Sequence, residues 1–242
     1  MRSLVLAALL ASCGALQAQI SVLNGASFRV GQPVTGGSWA AAFGTFTGVA
    51  QTTATTSPIP KTLGGVTVTV NGVAAPVYFI SASQVNFLVP FAVTPGVRNV
   101  EVKTAGATLT GSVRIMSAAP GIFANPSGGA VLNQDGALNA TGARAGRGQV
   151  IQIFATGPGA LSRAIEDGTG APTSPLALTT STPDVFIAGV PATVQFSGMA
   201  PGFSGLWQIN AVVPDRAFIT GRVPLQVYMD GVDSNEVTIF VQ

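Results

Sequence analysis

The sequence predicts an all-β protein built as two tandem β-sandwiches, and three observations predict it. A heptad, Gln84-Val85-Asn86-Phe87-Leu88-Val89-Pro90, returns in the second half as Gln208-Ile209-Asn210-Ala211-Val212-Val213-Pro214. Stretches such as Val66-Thr67-Val68-Thr69-Val70 alternate with the two-residue period of a half-buried strand. Composition agrees. Of 242 residues 8% are charged, 30 are Gly and 16 are Pro, and the mean hydropathy of +0.50 comes from Val, Ala, Ile and Phe mixed with Thr. That mixture suits sheets and tight turns, and no window of a dozen residues has the apolar spacing of an amphipathic helix.

In chain order, residues 1–18 read as an export signal, with Arg2 as the basic start, Leu4 to Leu16 as the apolar stretch and cleavage after Ala18. The apolar run is shorter than a membrane span requires, and no later stretch reaches the necessary length. Leu10-Ala11-Ser12-Cys13 also resembles a bacterial lipobox, so a lipid anchor on Cys13 is the alternative to simple secretion. The first sandwich is assigned to 19–117. Its strands are Ser38 to Thr45, the Val66–Val70 strand, a return strand Ala75 to Ile80 after the Asn71-Gly72 hairpin, the Gln84 heptad, Val97 to Lys103 and Thr108 to Met116. Residues 118–123, containing Ala118-Ala119-Pro120-Gly121, read as a short linker that restricts the angle between the domains.

The second sandwich, 124–242, follows the same order. Ala130-Val131-Leu132-Asn133 echoes Ser21-Val22-Leu23-Asn24, and Gln149 to Thr156 matches Ser38 to Thr45. Val185-Phe186-Ile187 with Ala188-Gly189 matches the Val66 strand and its turn; Leu206 to Pro214, Val223 to Met229 and Val237 to Val241 complete the set. A repeat of about 110–125 residues is an ordinary domain size, and many short strands between regular turn signals are the mark of a sandwich. Each repeat carries one long loop at the equivalent place, Gln51 to Lys61 and Ser162 to Pro183. Those loops read as proline-stiffened crossovers between sheets.

Several motifs agree in order and spacing with one known family. They are Leu63-Gly64-Gly65-Val66-Thr67-Val68-Thr69-Val70-Asn71-Gly72, the repeated Gln-x-Asn-x-x-Val-Pro strand, Ala119-Pro120-Gly121-Ile122-Phe123, Asn133-Gln134-Asp135-Gly136, Ala200-Pro201-Gly202 and Gly231-Val232-Asp233-Ser234-Asn235. Together they resemble the uncharacterised C-terminal domain family abundant in secreted proteins of Solibacter and related acidobacteria. The resemblance covers almost everything after the leader. It implies two tandem immunoglobulin-like domains of the IPT/TIG type and supplies no catalytic residue. The family's module usually ends a longer protein, whereas here it makes up nearly the whole sequence.

Residue chemistry narrows function further. There is no His, so neither a Ser-His-Asp triad nor a His-ligated metal site exists. Cys13 is the only cysteine, which leaves residues 19–242 with no disulfide framework and no thiolate nucleophile. A Ser-Lys pair would need Lys61 or Lys103, on a loop and an exposed strand face. Glu166-Asp167 is the one adjacent carboxylate pair, and it reads as a solvated part of a Gly-containing loop. Gly157-Pro158-Gly159 lacks the helix that a phosphate cradle requires and reads as a turn. The net charge of +2 falls to about +1 without Arg2, and no Lys/Arg stripe exists, which closes a nucleic-acid role despite a pI near 9.1.

Oxygen ligands for calcium gather weakly at Asp230, Asp233, Asn235 and Glu236, and more poorly at Asn133 and Asp135, but a hairpin turn explains the former group. Gln84/Asn86 and Gln208/Asn210 form two polar strand faces; with Trp207 as a stacking platform, Gln208 and Asn210 are the candidates for a sugar site. No cofactor is expected. The favoured function is a non-catalytic extracellular or cell-surface module for adhesion or envelope scaffolding, with a protein or polysaccharide partner. The alternative is a carbohydrate-binding module for polysaccharide capture. Exposed aromatics around Trp39, Trp207 and Tyr78 favour the latter, and buried ones the former. Cleavage after Ala18 predicts that N-terminal sequencing of the exported protein starts at Gln19; a mature chain starting at a lipid-modified Cys13 would overturn it.

Overall fold

The computed structural model describes residues 19–242, so Cys13 and the leader lie outside the described residues. Everything regular in it is β-strand. The first part contains β1 (Ser21–Asn24), β2 (Trp39–Phe43), β3 (Thr52–Thr53), β4 (Thr62–Leu63) and β5 (Val66–Val70). β6 (Val73–Ala75), β7 (Val77–Ile80), β8 (Gln84–Leu88), β9 (Gly96–Lys103) and β10 (Thr108–Ile115) follow. The second part contains β11 (Gly121–Ile122), β12 (Ala124–Asn125), β13 (Gly128–Gly129), β14 (Val131–Leu132), β15 (Val150–Thr156) and β16 (Asp184–Ile187). It ends with β17 (Val190–Ala192), β18 (Val194–Met199), β19 (Trp207–Val212), β20 (Gly221–Met229), β21 (Val232–Asp233) and β22 (Val237–Val241).

These strands form two sandwiches of the immunoglobulin-like kind. In the first, sheet β1-β2-β8-β7-β3 packs on sheet β10-β9-β5-β4, with β6 following β4 along the same edge of β5. In the second, β11-β15-β19-β18 with β14 packs on β17-β16-β20-β21 with β22. The central strand order repeats, β2-β8-β7 becoming β15-β19-β18 and β9-β5 becoming β20-β16. Alternation sets the cores. Val66, Val68 and Val70 are buried against Val85 and Phe87 in one cluster, while Thr67 and Thr69 stay half-exposed. Ile151, Ile153, Ile209 and Trp207 centre the other cluster. Burying an apolar side chain of this size contributes about 1.5–3 kcal/mol.

The hairpin signals are realised as turns with two positive-φ residues. Asn71 and Gly72 have φ of 50° and 80°, Ala188 and Gly189 52° and 75°, and Asp230 and Gly231 48° and 83°. This geometry matches the twist of paired strands and favours Asn, Asp and Gly, and Ala188 adopts it at the position equivalent to Asn71.

Two expectations are refined. The return strand expected over Ala75 to Ile80 breaks at Pro76: Val73–Ala75 completes the hairpin with β5, and Val77–Ile80 joins the opposite sheet beside β8. Pro76 has no N–H for the ladder, and the chain uses it to cross between sheets. The stretch read as linker, 118–123, is no free tether. Ala118 and Ala119 are wholly buried, and Gly121–Ile122 already pairs with β15.

Trp207 is the largest side chain with no exposure, whereas Phe203 is 60% exposed. Trp207→Ala should cost about 3–5 kcal/mol in urea unfolding, and Phe203→Ala should stay within about 0.5 kcal/mol. Equal effects would contradict this division.

Candidate functional site

The repeated heptad places its amides on the outer face of each sandwich. Gln84 Nε2 donates to Asn86 Oδ1 at 2.7 Å, and Gln208 Nε2 donates to Asn210 Oδ1 at 2.9 Å. Cross-strand register flanks both pairs with phenylalanines: Phe43 opposes Gln84 and Phe79 opposes Asn86, as Phe154 opposes Gln208 and Phe196 opposes Asn210. Even the irregularity is copied, with bulges between Val77 and Phe79 and between Val194 and Phe196. A bulge re-aims the strand while keeping one face outward. Each sandwich therefore carries one half-buried amide–aromatic patch.

The tryptophans do not follow the repeat. Trp207 is a stacking platform in the sequence reading, but it points into the second core and is wholly buried, its Nε1 donating to Ser197 Oγ at 3.0 Å. The reason is parity: Gln208 and Asn210 face outward, so their neighbour Trp207 faces inward. No ring face remains for a ligand. Gln208 and Asn210 thus lose their proposed aromatic partner. Trp39, by contrast, lies on the outer face of the first sandwich, half-buried, with its ring centroid 5.3 Å from that of Tyr78 in an edge-to-face arrangement.

Trp39 also joins the two sandwiches. Its backbone N–H donates to Thr156 Oγ1 at 2.9 Å, and that hydroxyl donates to Gly205 O at 3.0 Å. Trp39 Nε1 donates to Ser204 O at 3.1 Å. Elsewhere along the seam, Gln32 Nε2 donates to Pro120 O at 2.6 Å, Asn24 Nδ2 to Ala119 O at 3.2 Å and Arg29 Nη1 to Ser234 O at 3.1 Å. The long loop of the second sandwich reaches across as well. Asp167 Oδ1 accepts the Phe91 N–H at 3.0 Å, and Gly168 O accepts the Ile59 N–H at 2.9 Å. Gly168 has φ +82°, and a Cβ there would press on the Ile59 backbone, so both conformation and clearance require glycine.

The seam encloses a groove of about 440 Å³. Its floor is the outer face of the first sandwich at Trp39, Tyr78 and Asn86; its walls are Thr56 and Ser57 on one side and Phe203 with Leu206 on the other. Tyr78 is 40% exposed, so the groove opens to solvent. A second, wider cleft of about 1,130 Å³ lies along the edges of β1 and β10 and is bordered by Arg29, Arg114 and Asp233.

The remaining sequence candidates separate. Both amide atoms of Asn235 serve the Ile122 backbone, Oδ1 accepting its N–H at 2.8 Å and Nδ2 donating to its carbonyl at 3.0 Å. The Asn235 amide is therefore committed to the backbone of β11, while Asp230, Asp233 and Glu236 are exposed around the turn. Asn133 Oδ1 accepts from Asn139 Nδ2, and Asp135 Oδ1 accepts the Ala137 N–H, which makes both parts of loop geometry. Among the described residues no group of three or more His, Cys, Asp or Glu is placed to hold a metal ion. Asp167 is a seam acceptor and Glu166 is exposed; Lys61 and Lys103 are exposed too. The seam and the groove were not legible in advance, because Phe203, Leu206 and Asp167 carry no motif and acquire meaning only by contact with the other half.

No family model and no curated protein matches the chain. Among solved structures it is similar to a mixed-linkage glucan utilization locus protein of Bacteroides ovatus, SGBP-B, in complex with a mixed-linkage heptasaccharide, at 10% identity and a TM-score of 0.33. That match covers 88% of this chain and 44% of the other, so the chain spans less than half of that protein's length. It is also similar to domains 5–6 of the S-layer protein SbsC, at 16% identity, TM-score 0.28 and coverage of 93% and 97%. A third likeness is to the titin Ig tandem A164–A165, at 8% identity, TM-score 0.24 and coverage of 93% and 96%.

Thr156→Val keeps the side-chain size but strands the Trp39 N–H and the Gly205 carbonyl at the seam. Calorimetry should show a loss of about 1–3 kcal/mol; unchanged stability would remove Thr156 from the account of the seam.

Proposed function

We propose that the protein is a non-catalytic extracellular or cell-surface module that acts in adhesion or envelope scaffolding. The observation that carries this reading is the seam. Its hydrogen bonds run from Gln32 at the junction through Trp39 and Thr156 to the Asp167–Gly168 loop, which ties the second sandwich to the first at points far apart along the chain. Inter-domain contacts within a chain ordinarily permit relative motion. A cross-braced pair instead presents its outer faces at a set distance and orientation, which is what a spacer or scaffold requires. Rigid presentation also reduces the ordering cost of a binding partner.

Supporting features come from composition. The sequence has no His, and its only Cys lies in the leader, which leaves few routes to nucleophilic or metal-assisted chemistry. The export signal and the resemblance to secreted acidobacterial modules support placement outside the cytoplasm. Among the described residues no helix is long and apolar enough to cross a membrane.

The test is fractionation of the producing cells with an antibody to the protein. The protein should sediment with envelope fragments, and purified protein added back to stripped fragments should rebind. Replacing the seam residues Asp167 and Thr156 together (Asp167→Ala, Thr156→Val) should reduce rebinding at temperatures where the variant stays folded. Recovery of the protein wholly in the medium, with no rebinding, would overturn the scaffolding reading.

A further inference from the structure

We infer that the groove between the sandwiches is a binding site for a neutral saccharide chain. The inference rests on the reading of the protein as a non-catalytic extracellular module and names the chemistry of what it holds. No charged side chain lines the groove. A carboxylate, sulfate or amine brought there would lose hydration without meeting a counter-charge, which is costly. An uncharged ligand is therefore selected.

The walls specify more than neutrality. Phe203 is 60% exposed and Tyr78 40% exposed, and they stand with Trp39 around one opening. Exposed aromatics gathered in one concavity mark an interaction site. Their faces match the C–H face of a pyranose ring, while its equatorial hydroxyls need planar, oriented polar partners. Asn86 is such a partner. Its Oδ1 is held by Gln84 Nε2 at 2.7 Å, which orients the amide and turns its Nδ2 donors to other use. Thr56 and Ser57 add hydroxyls from the facing loop, both exposed. A mostly apolar concavity with a few oriented polar groups is the usual form of a small-ligand site, and about 440 Å³ falls within the common range of roughly 300–1,000 Å³.

The backbone argues against an extended peptide. Peptides often bind by adding a strand to an open sheet edge. Beneath this groove β2 is paired on both sides by β1 and β8, and β7 by β8 and β3. No ladder position opens from the floor, so recognition falls to side chains, as stacking and amide contacts to sugars require. The groove is also braced in advance, because Trp39 Nε1 is bonded to Ser204 O and the neighbouring loop is held through the Ile59 N–H to Gly168 O. The second sandwich carries the same amide pair outside this groove, which makes it an internal control.

The experiment is affinity electrophoresis of the exported protein in native gels cast with hydroxyethyl cellulose, laminarin or xylan, and with alginate as the anionic comparison. Retardation is expected on at least one neutral polymer and not on alginate. Tyr78→Ala, Phe203→Ala and Asn86→Ala should each weaken it by about tenfold, the scale of one lost central contact. Gln208→Ala should leave it unchanged. A soluble oligosaccharide from the retarding polymer should shift tryptophan emission, and Trp39→Phe should abolish that shift while Trp207 remains. Because Phe203 and Tyr78 are exposed, a Tm within error of the parent protein certifies each variant. Absence of retardation on every neutral polymer, equal retardation on alginate, or retardation insensitive to the groove variants overturns the inference. Those outcomes leave the envelope-association test standing. Release of new reducing ends from the polymer would instead overturn the non-catalytic reading and leave the groove in place.

Discussion

The architecture turns on one hydroxyl. Thr156 Oγ1 is wholly buried at the end of β15, accepts the Trp39 N–H and donates to the Gly205 carbonyl. It thereby joins the first strand pair of one sandwich to the loop that precedes the heptad strand of the other. A buried N–H or C=O without a partner costs more than a formed bond contributes, so the three groups hold one another in place. Trp39 can lie across the seam only because Thr156 and Ser204 satisfy both of its N–H groups. The groove follows from that placement, since its floor and one wall belong to different sandwiches.

Duplication explains the framework, and departure from duplication explains the site. The amide pair, its flanking phenylalanines and the bulge are copied in register from one sandwich to the other. These elements serve each domain separately. The two tryptophans are not copies: with Asn86 equivalent to Asn210, Trp39 corresponds to Val150 and Trp207 to Ser83. One tryptophan fills a core and the other serves the junction. Two identical domains placed in tandem still present different neighbours to each half, and substitutions at the junction follow that asymmetry.

Much of the fold was legible because β-structure has a short period. Val66 to Val70 announces its buried face by alternation, and Asn71-Gly72 announces its turn by the cost of positive φ for other residues. The break at Pro76 was legible in principle, since proline lacks the N–H a ladder requires, yet the apolar run across it resembled one strand. Trp207 departs from its expected place for a simpler reason. A tryptophan beside Gln208 suggests a shared surface, but neighbours in a strand face opposite ways, and that same alternation sends Trp207 inward. Asn235 likewise takes its place from a partner, because its amide pairs with the Ile122 backbone.

By itself the sequence determined the class of fold, the duplication, the turns and the exclusion of histidine and thiol chemistry from residues 19–242, all of which depend on local period, local φ or mere composition. Only the tertiary structure decided how the two halves meet. Whether Asp167 is an acid or a seam acceptor, and whether Phe203 stands beside Tyr78, depend on contacts between residues 76 or more positions apart. No local pattern encodes such contacts, because the groups that meet at the seam share neither a period nor a motif; they share only a place, and packing creates it.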